Sequence, residues 1–331
     1  MSALGGMLRA LWRFHRLLAG ILVLEYAMAF AIMLVASGIL FARVGAISEA
    51  SGVDETGLYV LQSLGQGREV HTADLRDARE RFAALVGGVR VARGSSVPFL
   101  GSYSEQVAID IPDGAPGAAA LQVNAYEGDA GFAPVLGLHL EQGRWFRPDE
   151  IVRHYGENTH LVVLSHALAQ RLFHGGRAVG RQVRIGGDLH LVIGVMGPLA
   201  APTYLGSRDT MLTLLLPRLV GGNGVLVIRH AGAASGLHAV LAGLRKRSAG
   251  EVEWSLMPYA NLRTGYFQQD RLVVWALALV VAAVLLTALC GILGLTNHWV
   301  AKRRVQIAIR RAPGAPRRDI QWHFLVETGV L

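Results

Sequence analysis

The stretch Asn297–Leu331, NHWVAKRRVQIAIRRAPGAPRRDIQWHFLVETGVL, begins where a long apolar segment ends. It carries seven basic residues: Lys302, Arg303, Arg304, Arg310, Arg311, Arg317 and Arg318. Asp319 is the only acid in it before Glu327. On a helix, Ala301, Val305, Ala308, Ile309 and Ala312 fall on one face and Lys302, Arg303, Gln306 and Arg310 on the other. Pro313-Gly314 stops that helix, because proline cannot continue the hydrogen-bond ladder and glycine turns the chain cheaply. The spacing predicts a short basic amphipathic helix at a membrane surface, then a turn, then the start of another apolar run.

Upstream of this stretch, Leu272–Thr296 is apolar throughout, and near the other terminus Leu17–Ala42 is apolar except for Glu25. Each is long enough to cross a hydrocarbon core of ~30 Å at ~1.5 Å per residue. The first exceeds the ~7–15-residue apolar core of a cleaved signal peptide, so it reads as an uncleaved anchor. Trp12 and Phe14 sit at its basic end, where aromatic rings favour the interface. A carboxylate inside a span is costly. Glu25 therefore either hydrogen-bonds to a neighbouring helix or serves a transport path or proton step.

Charge places the ends. The net charge is +8, yet 22 of the 32 Lys and Arg and 21 of the 24 Asp and Glu lie between the spans, which leaves that segment near neutral. The excess sits in Arg9, Arg13 and Arg16 before the first span and in the seven basic residues after the second. That is the positive-inside bias of a membrane protein and argues against a nucleic-acid surface. The expected organisation is a cytoplasmic N-terminus (1–16), a transmembrane helix (17–42), a periplasmic domain (43–271), a second transmembrane helix (272–296), a cytoplasmic segment (297–323) and the start of an incomplete third helix (324–331). The single cysteine, Cys290, allows neither an intrachain disulfide nor a cysteine metal cluster.

The segment between the spans reads as α+β. Asp74–Val86 has Leu75, Ala78, Phe82 and Leu85 on one helical face. Gln106–Ile111 and Ala119–Tyr126 read as strands around the turn-rich PDGAPG. His160–Leu164 reads as a buried strand, with Ser165 as the N-cap of the helix Ala167–Phe173. Gln182–Ile185 and Leu189–Val195 form a strand pair across Gly186-Gly187-Asp188. Met211–Leu216 and Val225–Arg229 read as strands flanking a hairpin turn at Gly221–Gly224. Ser235–Lys246 reads as a helix, Glu251–Met257 as a last strand, and Tyr259–Arg271 as helix running straight into the second span.

Enzymatic signatures are missing from the sequence. No G-x-x-x-x-G-K-[ST] phosphate loop occurs. The histidine pairs His166/His174 and His154/His160 lack H-E-x-x-H spacing and read as surface or partly packed residues. Ser165 is not in a G-x-S-x-G elbow and reads as a cap. Gly143-Arg144 reads as a turn whose arginine ties loops together. No cofactor or metal is expected, and no catalytic residue is assigned.

The basic stretch resembles the cytoplasmic coupling segment of MacB/FtsX-type ABC transporter permeases, roughly R-x-x-E-I-G-I-R-R-A-L-G-A followed by basic residues and a Glu. Here the register reads Arg303-Arg304-Val305-Gln306-Ile307-Ala308-Ile309-Arg310-Arg311-Ala312-Pro313-Gly314-Ala315, with Gln306, Ala308 and Pro313 replacing the usual Glu, Gly and Leu. The phrases Phe132–Leu138, Glu141–Phe146 and Gly180–Val195 are similar to the periplasmic core domain of the same family. The resemblance implies a MacB-like core fold on an inner-membrane protein without ATPase activity of its own. It also implies a separate ABC ATPase that docks on Arg303, Arg304, Gln306, Ile307, Ile309, Arg310, Arg311 and Gly314. A second permease chain, a periplasmic adaptor and the lipid bilayer are the other expected partners, with efflux or mechanotransmission as the activity. That family has two further spans after the coupling segment, of which Phe324–Leu331 offers only a beginning. A two-span periplasmic sensor or scaffold is the alternative reading.

Overall fold

The computed structural model describes residues 2–67, 71–85, 88–101, 105–112, 120–154, 157, 159–202, 211–219, 224–248 and 251–302. The elements in chain order begin with helix α1 (Ser2–Ser48), strand β1 (Leu58–Gly67), helix α2 (Thr72–Ala83) and strands β2 (Arg90–Gly94), β3 (Glu105–Asp110) and β4 (Leu121–Glu127). Helix α3 (Phe132–Leu136), β5 (Leu140–Gly143), β6 (Leu161–Ser165), α4 (His166–Phe173), β7 (Gln182–Ile185), β8 (Asp188–Met196) and β9 (Thr213–Leu216) follow. The chain continues with β10 (Val225–Arg229), α5 (Ala234–Arg247), β11 (Val252–Pro258), α6 (Tyr259–Tyr266) and α7 (Gln268–Lys302). They divide into two units, one of residues 1–44 and 272–331 and the other of residues 45–271.

In the first unit, Val23–Ser48 of α1 and Gln268–Gly294 of α7 have mean hydropathies of 2.1 and 2.8 and are long and apolar enough to cross a membrane. Leu24, Phe30, Leu34, Phe41, Trp275, Leu279, Leu286 and Leu293 are all exposed on these helices. Such continuous apolar surface calls for a non-aqueous neighbour. Helix α1 runs six residues beyond the expected boundary at Ala42.

The second unit holds two sheets. The four-stranded sheet has the order β11-β1-β10-β2, antiparallel throughout. Both of its faces are covered, and the period-two alternation of a strand shows how. In β10, Val225 and Val227 enter one core while Leu226 and Ile228 enter another. The latter core lies under α2 and α5, which contribute Leu75, Ala78, Phe82, Leu237, Leu241 and Leu244.

The second sheet runs β5-β8-β6-β9-β4-β3-β7, and β7 also pairs with β8. That extra pairing closes six strands into a ring, with β5 added beside the C-terminal half of β8. Val162 and Leu164 of β6 and Leu214 and Leu216 of β9 face one core with Leu168 and Phe173 of α4. Val163 and Leu215 face the core shared with the four-stranded sheet.

Ser165 caps α4, accepting from the Leu168 N–H at 3.4 Å, and also joins β6 to the start of β9. Its hydroxyl donates to Met211 O at 2.8 Å and accepts from the Thr213 N–H at 3.2 Å. Two expectations change. Strands β9 and β10 do not pair as a hairpin, because β9 belongs to the ring and β10 to the four-stranded sheet; residues 221–223 between them lie outside the described residues. Two adjacent strand-like runs cannot by themselves say that a chain changes sheets. Helix α6 does not run straight on, either: its last turn closes at Phe267, whose N–H bonds back to Arg263 O and Gly265 O. The Phe267 ring is drawn into the core at 1% exposure, and α7 starts afresh at Gln268.

Candidate functional site

Where α1 leads into the folded unit, residues 47–56 are held from several sides. Arg263 of α6 donates to Ile47 O at 3.1 Å and Glu49 O at 2.7 Å, and pairs with the Glu55 carboxylate at 2.8 Å. Its guanidinium lies 5.3 Å from the centre of the Phe99 ring, within range of a cation–π attraction. Phe99 adopts a positive φ of 67°, uncommon for a bulky residue. There its ring meets Tyr266 and Phe267 at 5.6 and 5.2 Å. Tyr259 is fully buried beside them, and burial pushes its phenol pKa up.

A second arginine completes the clamp. Arg229, at the end of β10, donates to Asp54 O, Thr56 O and Val135 O and pairs with the Asp54 carboxylate, each at 2.8 Å. Hydrogen bonding from Thr56, helped by Arg229, holds the Asp54 carboxyl below its usual range. Between the two arginines, Gly52 has φ 79°, and a Cβ there would lie 1.7 Å from Pro198 O. Only glycine permits both that dihedral and that approach. The neighbouring Ser51 O accepts from the Ala200 N–H at 3.0 Å. The last turn of α1 and the ten residues around it are thereby fastened to α6, β10 and the loop after β8.

Arg144 ties loops in the manner expected of it, making a bidentate pair with Glu150 at 2.8 and 2.6 Å. That pairing holds the Glu150 carboxyl below its usual range. His166 Nδ1 contacts Glu141 at 2.5 Å, with His139 at 3.7 Å from the same carboxylate. Burial depresses the pKa of His190, whose ring stands 5.7 Å from that of His160. Among the described residues no set of three or more His, Cys, Asp or Glu is arranged to hold a metal ion. A cleft of about 230 Å³ lies on the ring, lined in part by Glu105, Leu161, His190 and Arg218.

The expected ATPase-coupling residues Arg303, Arg304, Gln306, Ile307, Ile309, Arg310, Arg311 and Gly314 lie outside the described residues. Glu25 lies on α1 with its side chain exposed. Its neighbour Tyr26 approaches α7, the hydroxyl standing 3.3 Å from where a Cβ on Gly291 would be. The two arginine clamps were not identified from sequence. Arg229 and Arg263 stand among many arginines, and nothing local marks the backbone oxygens they reach.

Residues 25–233 match the MacB-like periplasmic core domain. The chain belongs to that family. Residues 278–331 match the FtsX-like permease C-terminal domain. A curated relative, the macrolide export ATP-binding/permease protein MacB of Chlorobium luteolum, is 26% identical over 197 residues. The match takes in 56% of this chain, and the chain spans 29% of the relative's length. Among solved structures, the periplasmic region of MacB from Actinobacillus actinomycetemcomitans aligns with a TM-score of 0.46 at 14% identity. It covers 66% of this chain and 97% of that one. The extracellular domain of the ABC-type transporter YknZ from Gram-positive bacteria aligns at 0.42 and 13% identity, covering 60% and 99%. With its two membrane-length helices, the chain is a membrane protein with a periplasmic α+β domain of the MacB-like type.

Proposed function

We propose that this chain acts as a permease subunit of an ABC transporter, passing motion from a separate ATPase to the periplasmic domain. The observation that carries this reading is the pair of family matches. One runs from within the first helix through residue 233 of the folded unit, and the other from within the second helix through the basic stretch after it. In this reading the ATPase docks on the segment around Arg303–Gly314, whose basic and apolar faces suit a partner groove. A second copy of the chain pairs with the first in the inner membrane, and a periplasmic adaptor is a further partner. The boundaries of the cytoplasmic, membrane and periplasmic segments follow the charge pattern at the two ends.

The clamp gives this reading a structural route. A helix can transmit displacement only if its end is fixed to what it moves. Arg263, Arg229 and the Gly52–Pro198 contact fix the end of α1 to both sheets' surroundings. The test is reconstitution of the chain with an ATPase encoded beside it. Stimulated ATP hydrolysis is expected, and it should fall when Arg310 and Arg311 are both changed to Glu. Absence of any ATPase that co-purifies or responds would overturn the reading in favour of a sensor or scaffold.

A further inference from the structure

Beside the core that they share, the two sheets of the folded unit are also stitched together along a backbone seam. There Gly94, at the end of β2, bridges Gly128, just after β4. Both must be glycine: a Cβ on Gly94 would lie 2.2 Å from the Phe132 ring, and one on Gly128 would lie 2.8 Å from the same side chain. Beside them Ser95 and Glu127 bond reciprocally. The Ser95 N–H donates to Glu127 O at 2.8 Å, and the Glu127 N–H donates to Ser95 Oγ at 3.0 Å. Asp129 completes the stitch, accepting from the Arg93 N–H at 3.1 Å and donating its own N–H to Arg93 O at 3.0 Å.

The side chain of Glu127 is folded into this seam with 12% of its surface exposed. Among the described residues, charged groups face it from three sides. Arg218, beyond β9, places Nε 3.1 Å from Oε1. Arg93 on β2 is itself buried, and Glu105 at the start of β3 repels the Glu127 charge. Further along, Asp129 is paired with Arg79 of α2 at 3.2 Å. Although Arg218 is near, Glu127 Oε1 is buried without an aligned hydrogen bond. A carboxylate held in that way is costly, and the neutral acid costs less.

The geometry points to a proton-controlled seam: protonated Glu127 keeps the four-stranded sheet joined to the ring, and its ionisation loosens the joint. Burial, the largest influence, raises the Glu127 carboxyl to about 7 from a usual 4.5. A folded pKa above the solvated one means that the closed seam binds the proton more tightly. The stabilisation is therefore complete below about 4.5 and is lost as the pH rises through about 7. If opening returns Glu127 to water, these two values make the open fraction rise about tenfold between pH 6 and pH 8.

The experiment is amide hydrogen exchange on the full chain in lipid nanodiscs at pH 6 and pH 8, corrected for intrinsic rates. The amides of Ser95, Glu127 and Arg93 should lose about tenfold protection at the higher pH, while those of β6 and β8 hold theirs. Glu127→Gln, neutral at both values, should show the same seam protection at pH 6 and pH 8. If that variant fails to fold, Arg218→Gln supplies the second reading. Removing the cation should move the midpoint of the native chain's transition to higher pH. Protection that does not change with pH, an unaltered response in Glu127→Gln, or an unmoved midpoint in Arg218→Gln would each overturn the proposal.

Discussion

Replacing Arg263 by alanine removes, in one step, most of what fastens the end of α1. Three bonds disappear, to Ile47 O, Glu49 O and Glu55, together with the stacking on Phe99. Taken at face value, hydrogen bonds to a charged group contribute about 1.5–3 kcal/mol each. The site is only partly buried, with 24% of the Arg263 side chain and 29% of Glu55 exposed. The ion pair then contributes ~1 kcal/mol or less, the cation–π contact ~0.5–1 kcal/mol, and water can replace part of the bonding to the two carbonyls. A net loss of about 2–3 kcal/mol is expected. For a unit of this size about 1 kcal/mol moves the melting temperature by ~2–4 °C, so the shift should be roughly 4–12 °C. Thermal unfolding of the full chain in detergent measures it, and hydrogen exchange over residues 47–56 localises it. Arg263→Lys retains the charge but reaches fewer acceptors, and should fall between the two. A melting temperature within about 1 °C of the native chain, with unchanged exchange at 47–56, would refute the reasoning.

Other perturbations follow from the same coordinates. Gly52→Ala should destabilise the folded unit severely, because the new methyl would sit 1.7 Å from Pro198 O at φ 79°; a native-like melt would contradict the contact. Phe82→Ala should cost about 3–5 kcal/mol, since the ring is fully buried beneath the four-stranded sheet; denaturant midpoints measure this. Ser165→Ala should cost about 0.5–2 kcal/mol by removing a helix cap, together with the side-chain bond to Thr213, whose N–H keeps Met211 O as acceptor; equilibrium unfolding decides it. Charge reversal at Arg310 and Arg311 should reduce ATPase stimulation without affecting membrane insertion, and unchanged stimulation would favour anchoring to anionic lipid.

The segments legible in sequence share a cause. Asp74–Val86, Gln182–Ile185, Leu189–Val195 and Ser235–Lys246 carry strong local periodicity, and the structure has an element at each, α2, β7, β8 and α5, within a few residues of the expected limits. Ser165 was legible as a cap because capping is a local act. Its second role, accepting the Thr213 N–H across 48 residues, was not. The same holds for Gly221–Gly224, where turn chemistry was plain but the change of sheet depends on what β10 pairs with. Glu127 looks like any strand acid in LQVNAYEG. Its environment comes from Ser95, Arg218 and Glu105, and distant residues bury it. Pairing, clamping and burial are long-range properties, so a single sequence carries them only diffusely.

The clamp and the seam meet in one core. Ile47, held by Arg263 through its carbonyl, packs against the cluster that contains Leu58, Phe99, Tyr259 and Phe267. Tyr126, the residue before Glu127, belongs to the same cluster and bonds through its hydroxyl to Ala200 O at 2.6 Å. Ala200 in turn donates its N–H to Ser51 O, in the stretch that Arg229 and Arg263 hold. Phe132, wedged against the two seam glycines, fills the space between. Close-packed interiors respond to displacement as connected solids because there is no void to absorb it. A shift at the end of α1 would therefore press on the seam through packed side chains and through the chain of bonds Ser51–Ala200–Tyr126. A change in seam protonation would act on the clamp by the same contacts. The two joints should be energetically coupled, and a double-mutant cycle of Arg263→Ala with Glu127→Gln measures the coupling directly.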